Sequence, residues 1–224
     1  MERSFDTIIR ISSARAEIVV EQEGEGVTSR KTLTPEAFSK ALLGSRFDDG
    51  IHSVGFLPAH CFSAAAVGKD LLFFLRYPEL RADVSYYGTE YPDFPLPRLV
   101  FSFKYAPESG KVIGTRLAVT ADERLTPNTL TYVYPFSNVY GSKHICLGNN
   151  ALPVYKDPTR LHTLMRYILS FPNNNDMFHE GNNRLNLGYR DLLEHLKDKD
   201  PSYYYESVLI PDKKTLKDFM EGGT

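Results

Sequence analysis

The sequence predicts an α+β fold in which an antiparallel meander sheet is flanked by helices, preceded by an N-terminal extension with a β-hairpin and a helix. Three observations lead to this prediction. Strand-like alternation occupies the first half of the chain, strand patterns between residues 98 and 136 are joined by short links, and apolar residues at helical spacing follow residue 157. Consecutive strands with short links favour antiparallel pairing, and no pattern requires a parallel sheet.

The N-terminal extension, residues 1–54, starts with two alternating segments. DTIIRIS (6–12) and RAEIVVEQE (15–23) flank a short polar turn, which together predict a hairpin. The following EGEG (23–26) predicts a loop.

A helix and two apolar segments are expected next. Thr34 before Pro35 supplies an N-cap and a favoured first helical residue, so we expect a helix over 35–43. The segments FLPAHCFSAAAV (56–67) and DLLFFLRY (70–77) are apolar enough to be interior, and the second is typical of a fully buried strand.

A Pro-rich crossing at 91–99 leads into three consecutive strands. The first, LVFSFKYAP (99–107), alternates as a half-buried strand. The second is KVIGTRLAVTA (111–121), and the residues expected to share one of its faces are Ile113, Leu117, Val119 and Ala121. The third is TLTYVYPF (129–136), and the residues expected on one of its sides are Leu130, Tyr132, Tyr134 and Phe136.

Two amphipathic helices and a short C-terminal helix complete the prediction. Asp157 is expected to cap a helix that begins at Pro158 and stops at Pro172. Its apolar stripe comprises Leu161, Leu164, Met165, Ile168 and Leu169. The apolar residues of a second helical segment, which ends before Pro201, are Leu185, Tyr189, Leu192, Leu193 and Leu196. A last helix is expected around 215–220.

Composition limits the classes of function. The 224 residues carry 26 Lys and Arg against 28 Asp and Glu, and both signs are mixed along the chain, so no nucleic-acid partner is expected. No apolar run is long enough for a membrane helix, and the N-terminus lacks a signal-peptide pattern, so we expect no membrane partner and a cytoplasmic location. Without a repeat or linker, the prediction is one domain over 1–224, with a core over 55–180 and a C-terminal helical segment over 181–224.

The two cysteines, Cys61 and Cys146, stand without a C-x-x-C or multi-cysteine pattern. Reduced thiols are therefore expected, with no disulfide framework. Cys61 lies among small apolar residues, which favours core packing, and the neighbouring His60 would point to the opposite face of a strand.

Cys146 stands where a strand pattern gives way to the loop formers GNN. If residues 144–146 are extended, His144 and Cys146 project to the same side. Asn138 can fold back across a turn at Gly141 and bring an amide donor beside the sulfur, which is the group that an acyl-transfer oxyanion needs. The alternative interpretation is that Cys146 packs as a small apolar residue and Asn138 caps a turn.

Four segments occur in a characteristic order: LP at 57–58, LPRLVF at 96–101, LTYVYPFSNVYG at 130–141 and ICLGNNALP at 145–153. Together with the helix and the Pro-Asn pair that follow, they resemble the ubiquitin-conjugating (E2) superfamily. More closely, the chain is similar to the bacterial E2-like proteins of prokaryotic E2 family D, which include the PRTRC system protein B type. The resemblance is strongest over about residues 55–180.

This resemblance implies a UBC-like (E2) fold and a thioester-forming acyltransferase. Cys146 then accepts a ubiquitin-like modifier by transthiolation from a ThiF/E1-like activating enzyme and passes it to an amine. Asn138 stands where the family's HPN asparagine steadies the turn or the oxyanion. Residues that would support the site are His144, Ser137, Gly148 and Asn149. A JAB-type isopeptidase is an implied further partner, and no cofactor or metal is required.

The chain departs from the family pattern in two respects. Phe136 and Ser137 replace the His and Pro of the HPN motif, with Pro135 one place earlier. The Trp that many eukaryotic relatives carry after the Cys is missing, so partner contacts of the eukaryotic kind are not expected. A non-catalytic E2-fold binding module in a plasmid-associated, PRTRC-type assembly is therefore the alternative function.

Single residues also permit other assignments: a hydrolase pair, a zinc site and a general base. A Cys–His hydrolase would pair Cys146 with His162 or His179, and a zinc site would add His144, but the spacings match no structural zinc pattern. Asp157 or Asp176 would assist an incoming amine, although a helix cap explains Asp157 better. The residues expected to form an edge strand or a docking surface are Tyr203, Tyr204 and Tyr205.

Overall fold

The described residues of the structure, a computed structural model, are 6–12, 17–24, 27–44 and 55–222. The chain divides into two units, residues 1–53 and 54–224. Helices accompany sheets whose strands pair antiparallel, which confirms the predicted α+β class. Among the described helices, none has the length and apolar character needed to cross a membrane.

The first unit contains three strands and a helix. They are β1 (Asp6–Ser12), β2 (Glu17–Gly24), β3 (Val27–Leu33) and α1 (Pro35–Gly44), with the strands in the order β1-β2-β3. Thr34 Oγ1 accepts a hydrogen bond from the backbone N–H of Ala37 at 3.2 Å, so the predicted cap and helix are confirmed. The hairpin is also confirmed, but β3 was missed because VTSRKTL has little apolar alternation. The predicted polar turn between β1 and β2, and residues 25–26 of the predicted loop, lie outside the described residues.

The second unit is built on a six-stranded sheet and a separate hairpin. Its strands are β4 (Cys61–Val67), β5 (Asp70–Arg76), β6 (Arg81–Tyr86), β7 (Thr89–Pro95), β8 (Arg98–Ala106), β9 (Lys111–Thr120), β10 (Leu130–Tyr132) and β11 (Pro211–Thr215). The large sheet has the order β11-β10-β9-β8-β5-β4, and β6 pairs with β7. The predicted meander is therefore confirmed for β8, β9 and β10, whereas β11 joins from the far end of the chain.

The helices of the second unit follow the predicted pattern closely. A 3-10 turn (Pro158–Leu161) leads into α2 (His162–Leu169), and α3 (Tyr189–Leu196) and α4 (Leu216–Glu221) follow. Asp157 Oδ1 accepts from the N–H of Thr159 at 2.9 Å, which confirms the predicted cap. The expected stripe is buried at every position, and Thr215 forms a capping box with Asp218 at the start of α4.

Apolar clusters lie on both faces of the central strands. Phe101 of β8 belongs to a large cluster that also contains the buried residues of α2 and α3. Val100, next to it in sequence, belongs to a second cluster with Leu216 and Phe219 of α4. Successive residues of a strand point to opposite faces, so β8 is buried on both sides. The prediction of a half-buried strand was wrong because α4 covers the second face.

Four further predictions were wrong in whole or in part. Segment 56–67 is not interior: Phe56 is 87% exposed, and β4 is an edge strand paired only with β5. The Pro-rich crossing contains β7, a short hairpin strand in which Pro is tolerated. The third meander strand is only three residues long. The three tyrosines at 203–205 form no edge strand, because Tyr204 begins a π-helical turn (Tyr204–Val208) and is fully buried.

A bulge in β9 reverses which residues face the core. Lys104 pairs with Gly114 and Tyr105 with Val112, so Ile113 is left without a partner in the ladder. The extra residue shifts the alternation by one. Val112 is therefore buried while Ile113 is 54% exposed, against the prediction that Ile113 shares a face with the buried Leu117.

Candidate functional site

Cys146 lies at the end of a short hairpin that extends the edge of β9. The strands of the hairpin meet at a bridge between Val139 and Ile145. Tyr140 N–H donates to His144 O at 2.9 Å, and Cys146 N–H donates to Asn138 O at 2.8 Å. The pairing therefore sets Asn138 opposite Cys146 and Tyr140 opposite His144.

The same hairpin is hydrogen-bonded to the central sheet. Leu117 N–H donates to Lys143 O at 2.9 Å, and Ile145 N–H donates to Thr115 O at 3.1 Å. Ile145 is buried in the large apolar cluster. Its neighbours at 144 and 146 consequently point away from that cluster. The hairpin thus presents Cys146 at the rim of the sheet, where the thiol is partly exposed.

The turn of the hairpin depends on an unusual backbone conformation at a lysine. Lys143 N–H donates to Tyr140 O at 2.8 Å, and Lys143 has φ of 70°, a region that favours glycine. Its buried ammonium group donates to Tyr132 O at 2.7 Å and pairs with Asp212 at 2.5 Å. These contacts tie the turn to β10 and β11.

Among the described residues, the side chain hydrogen-bonded to the sulfur is that of Tyr140. Its hydroxyl donates to Cys146 Sγ at 3.8 Å. Tyr140 is 45% exposed and stands diagonally across the hairpin from Cys146, which is within the reach of an aromatic side chain. Tyr140 was not predicted from the sequence as a residue of the site. The signal was available, since a turn centred near Gly141 places residues 140 and 146 on one face.

Asn138 is close to the sulfur in the hairpin, but its side chain is bonded elsewhere. It has φ of 64°, and Nδ2 donates to Pro172 O at 3.1 Å, in the segment after α2. An amide nitrogen carries two hydrogens. The second has no hydrogen-bond partner among the described residues, so one donor remains available on this side chain.

His144 lies on the same face as Cys146, and its ring is bonded to a neighbour in the turn. Nδ1 lies 3.2 Å from Ser142 Oγ. Within the part of the chain that the structure describes, no hydrogen bond joins His144 to Cys146.

The other predicted supporting residues have separate positions. Ser137 is buried, and its hydroxyl donates to Asn173 Oδ1 at 2.9 Å, so it anchors the hairpin to the chain that follows α2. Gly148 has φ of 52° and turns the chain away from the thiol. Asn149 is exposed beside it.

The segment that leaves the site is held by a close backbone approach. Gly110, in the turn between β8 and β9, has φ of 67°. Its carbonyl accepts from Tyr155 N–H at 2.7 Å, and a Cβ at this position would lie 2.6 Å from Tyr155 O. Glycine is required here because both the conformation and the space exclude a side chain.

The second thiol has different surroundings. Cys61 Sγ donates to Ser63 O at 3.2 Å. Burial raises the pKa of Cys61 above its ordinary value, although backbone hydrogen bonds oppose this. A thiol with a raised pKa is a poorer nucleophile at neutral pH.

The alternative ligands and bases do not assemble around Cys146. Among the described residues, no group of three His, Cys, Asp or Glu side chains has the geometry of a metal site. His162 Nδ1 lies 2.9 Å from Thr159 O, within its own helical turn. His179 borders a groove of about 390 Å³ beside the hairpin, which Tyr140 and Lys143 also line.

Comparison of the chain with family models, with curated proteins and with solved structures gives no match.

Proposed function

We propose that this protein is an E2-like conjugating enzyme that carries a ubiquitin-like modifier as a thioester on Cys146. The observation that carries the proposal is the hairpin 138–146. It presents a partly exposed thiol with a phenol in contact with the sulfur and an amide-bearing residue directly opposite in the backbone pairing. This combination suits a sulfur that must reach a protein-bound acyl group.

The reaction would take place in two acyl transfers. In the first, the Cys146 thiolate attacks the carbonyl carbon of a thioester on an activating enzyme; a new S–C bond forms, and the enzyme's thiolate leaves. In the second, an amine attacks the Cys146 thioester, an N–C bond forms, the amine loses its proton to solvent, and the Cys146 thiolate is regenerated. Both steps pass through an oxyanion, and the free N–H of Asn138 is the candidate donor to the one that forms when the amine attacks the Cys146 thioester.

The architecture around Cys146 is consistent with the UBC-like fold that we propose. An antiparallel meander precedes the hairpin, a capped helix follows the thiol, and a Pro-Asn pair follows that helix. The hydrogen bond from Asn138 to Pro172 O links the hairpin to that pair. This function requires two partners, a ThiF/E1-like activating enzyme and a ubiquitin-like modifier. A JAB-type isopeptidase is a further proposed member of the same system.

The test is formation of a reducible adduct. Purified protein is mixed with ATP, a ThiF/E1-like activating enzyme and a ubiquitin-like modifier, and the products are separated without and with a thiol reductant. We expect an adduct that Cys146→Ala abolishes and that Cys61→Ala retains. An adduct that persists in Cys146→Ala would refute the assignment.

The same assay separates the two possible roles of Asn138. Asn138→Ala should slow discharge of the adduct to an amine more than it slows loading, because the oxyanion donor is lost. Equal slowing of both steps would mean that Asn138 only supports the hairpin through Pro172.

A binding role without catalysis is the second candidate. One observation favours it: the amide of Asn138 already holds the hairpin to Pro172 O, which a module that only binds a modifier in a PRTRC-type assembly would also need. In that case the modifier would bind the parent and Cys146→Ala equally, and no adduct would form.

A further inference from the structure

The contact between Tyr140 and Cys146 is held by the backbone on both sides. The hydroxyl and the sulfur are 3.8 Å apart, and the residues that carry them are fixed by the pairing of Val139 with Ile145. The bond from Tyr140 N–H to His144 O sets the register. The phenol therefore reaches the sulfur from a defined position.

We propose that Tyr140 is a catalytic residue of this site, whose hydroxyl stabilises the Cys146 sulfur as a thiolate. A hydrogen bond to the charged form of a group favours that form, and the thiolate is the nucleophile in acyl transfer and in alkylation. The thiol proton leaves to solvent, and the phenol keeps its own proton as the donor. The biological reaction rests on the proposed function, whereas the donor role is testable without it.

The charged groups around the phenol keep it protonated. The hydrogen bond with the sulfur and its charge raise the pKa of Tyr140 above its ordinary value, and Asp176, from the segment after α2, acts in the same direction. His144 stands opposite in the hairpin, and His179 and Lys143 line the adjoining groove. Tyr140 therefore remains a donor across the pH range in which a thiol titrates.

The experiment measures the rate of alkylation by iodoacetamide between pH 6 and about pH 10. The full chain is used with Cys61→Ala, so that Cys146 is the one thiol. In the reaction the sulfur forms an S–C bond and iodide leaves. Tyr140→Phe keeps the ring and removes the donor. Tyr167→Phe is the matched control, since Tyr167 is also exposed and its hydroxyl donates to Ala151 O.

Tyr140→Phe should move the midpoint of the pH profile upward by about half a unit to one unit, which slows alkylation at pH 7 by about three- to tenfold. Tyr167→Phe should leave the profile in place. A profile unchanged by Tyr140→Phe, with the urea midpoint also unchanged, overturns the inference. An upward shift together with no adduct in the conjugation assay would refute the proposed function and leave the inference standing.

Discussion

Replacing Asp212 by Asn tests how strongly β11 holds the hairpin that carries Cys146. The carboxylate of Asp212 pairs with the ammonium group of Lys143 at 2.5 Å, and both side chains are about one-tenth exposed. Asp212 Oδ1 also accepts from Thr131 Oγ1 at 2.7 Å and from Lys214 N–H at 3.0 Å. Asp212 Oδ2 is buried without a further hydrogen-bond partner among the described residues. The ammonium group of Lys143 therefore offsets the cost of burying this charged oxygen.

Asp212→Asn keeps the size and the Oδ1 acceptor but leaves the ammonium group of Lys143 buried, with Tyr132 O as its remaining partner. Removing one member of a buried ion pair costs about 3–5 kcal/mol of stability. For Asp212→Asn we expect a loss of about 3 kcal/mol in the free energy of unfolding. This is near the lower value, because Tyr132 O still accepts from the ammonium group and the hydrogen bonds to Oδ1 remain.

The assay is urea denaturation followed by circular dichroism. Lys143→Met combined with Asp212→Asn should recover most of the loss, to within about 1–2 kcal/mol of the parent, because no charge is left buried. Glu108→Ala is the control, since Glu108 pairs with Lys69 at the surface with both side chains about three-quarters exposed, and it should cost less than about 1 kcal/mol. A loss in Asp212→Asn no larger than that in Glu108→Ala would refute the argument.

The sign of the pH dependence supplies a second check. Burial alone raises the pKa of Asp212, but the hydrogen bonds from Lys143 and Thr131 outweigh it, and the pKa lies below its ordinary value. A carboxylate with a depressed pKa in the folded state stabilises the fold above its unfolded pKa of about 3.9. The difference in free energy of unfolding between the parent and Asp212→Asn should therefore be largest near pH 7 and become smaller below about pH 4. A difference that grows on acidification would contradict this pairing.

Two further predictions concern the supports of the site. Gly110→Ala should lower the free energy of unfolding by about 1–3 kcal/mol, because Gly110 has a positive φ and a Cβ there would collide with Tyr155 O. The control is Gly141→Ala, where a Cβ meets nothing within 4 Å, and it should lower the free energy of unfolding by less in the same urea experiment. Asp157→Ala should lower the free energy of unfolding by about 1 kcal/mol, because the cap on Thr159 N–H is lost, and it should leave the rate of adduct discharge unchanged. Slower discharge at unchanged stability would instead identify Asp157 as a base.

The sequence predicted the helices of the second unit well because their signals are local. The cap at Asp157, the proline after it and the apolar stripe all lie within one short segment, so no distant partner is needed to recognise them. The position of Cys146 at an edge was similarly suggested by the glycine and asparagines that follow it.

Two of the errors arose where a strand's surroundings depend on residues far along the chain. β11 pairs with β10 from about 80 positions away, and α4 buries the second face of β8. Neither partner is visible in the pattern of the strand itself. Tyr140 was missed for a related reason: which side chain contacts the thiol depends on the register of the hairpin, and register follows from the turn at Lys143.

The backbone conformations of the hairpin connect its stability to its chemistry. Asn138 and Lys143 both have positive φ, a conformation that asparagine tolerates at lower cost and that costs lysine of order 1 kcal/mol or more. A glycine at either position would remove that cost, but it would also remove a side chain that bonds another segment of the chain, at Pro172 O and at Tyr132 O. The two bonds therefore hold the start and the turn of the hairpin in the register that sets Tyr140 against the sulfur.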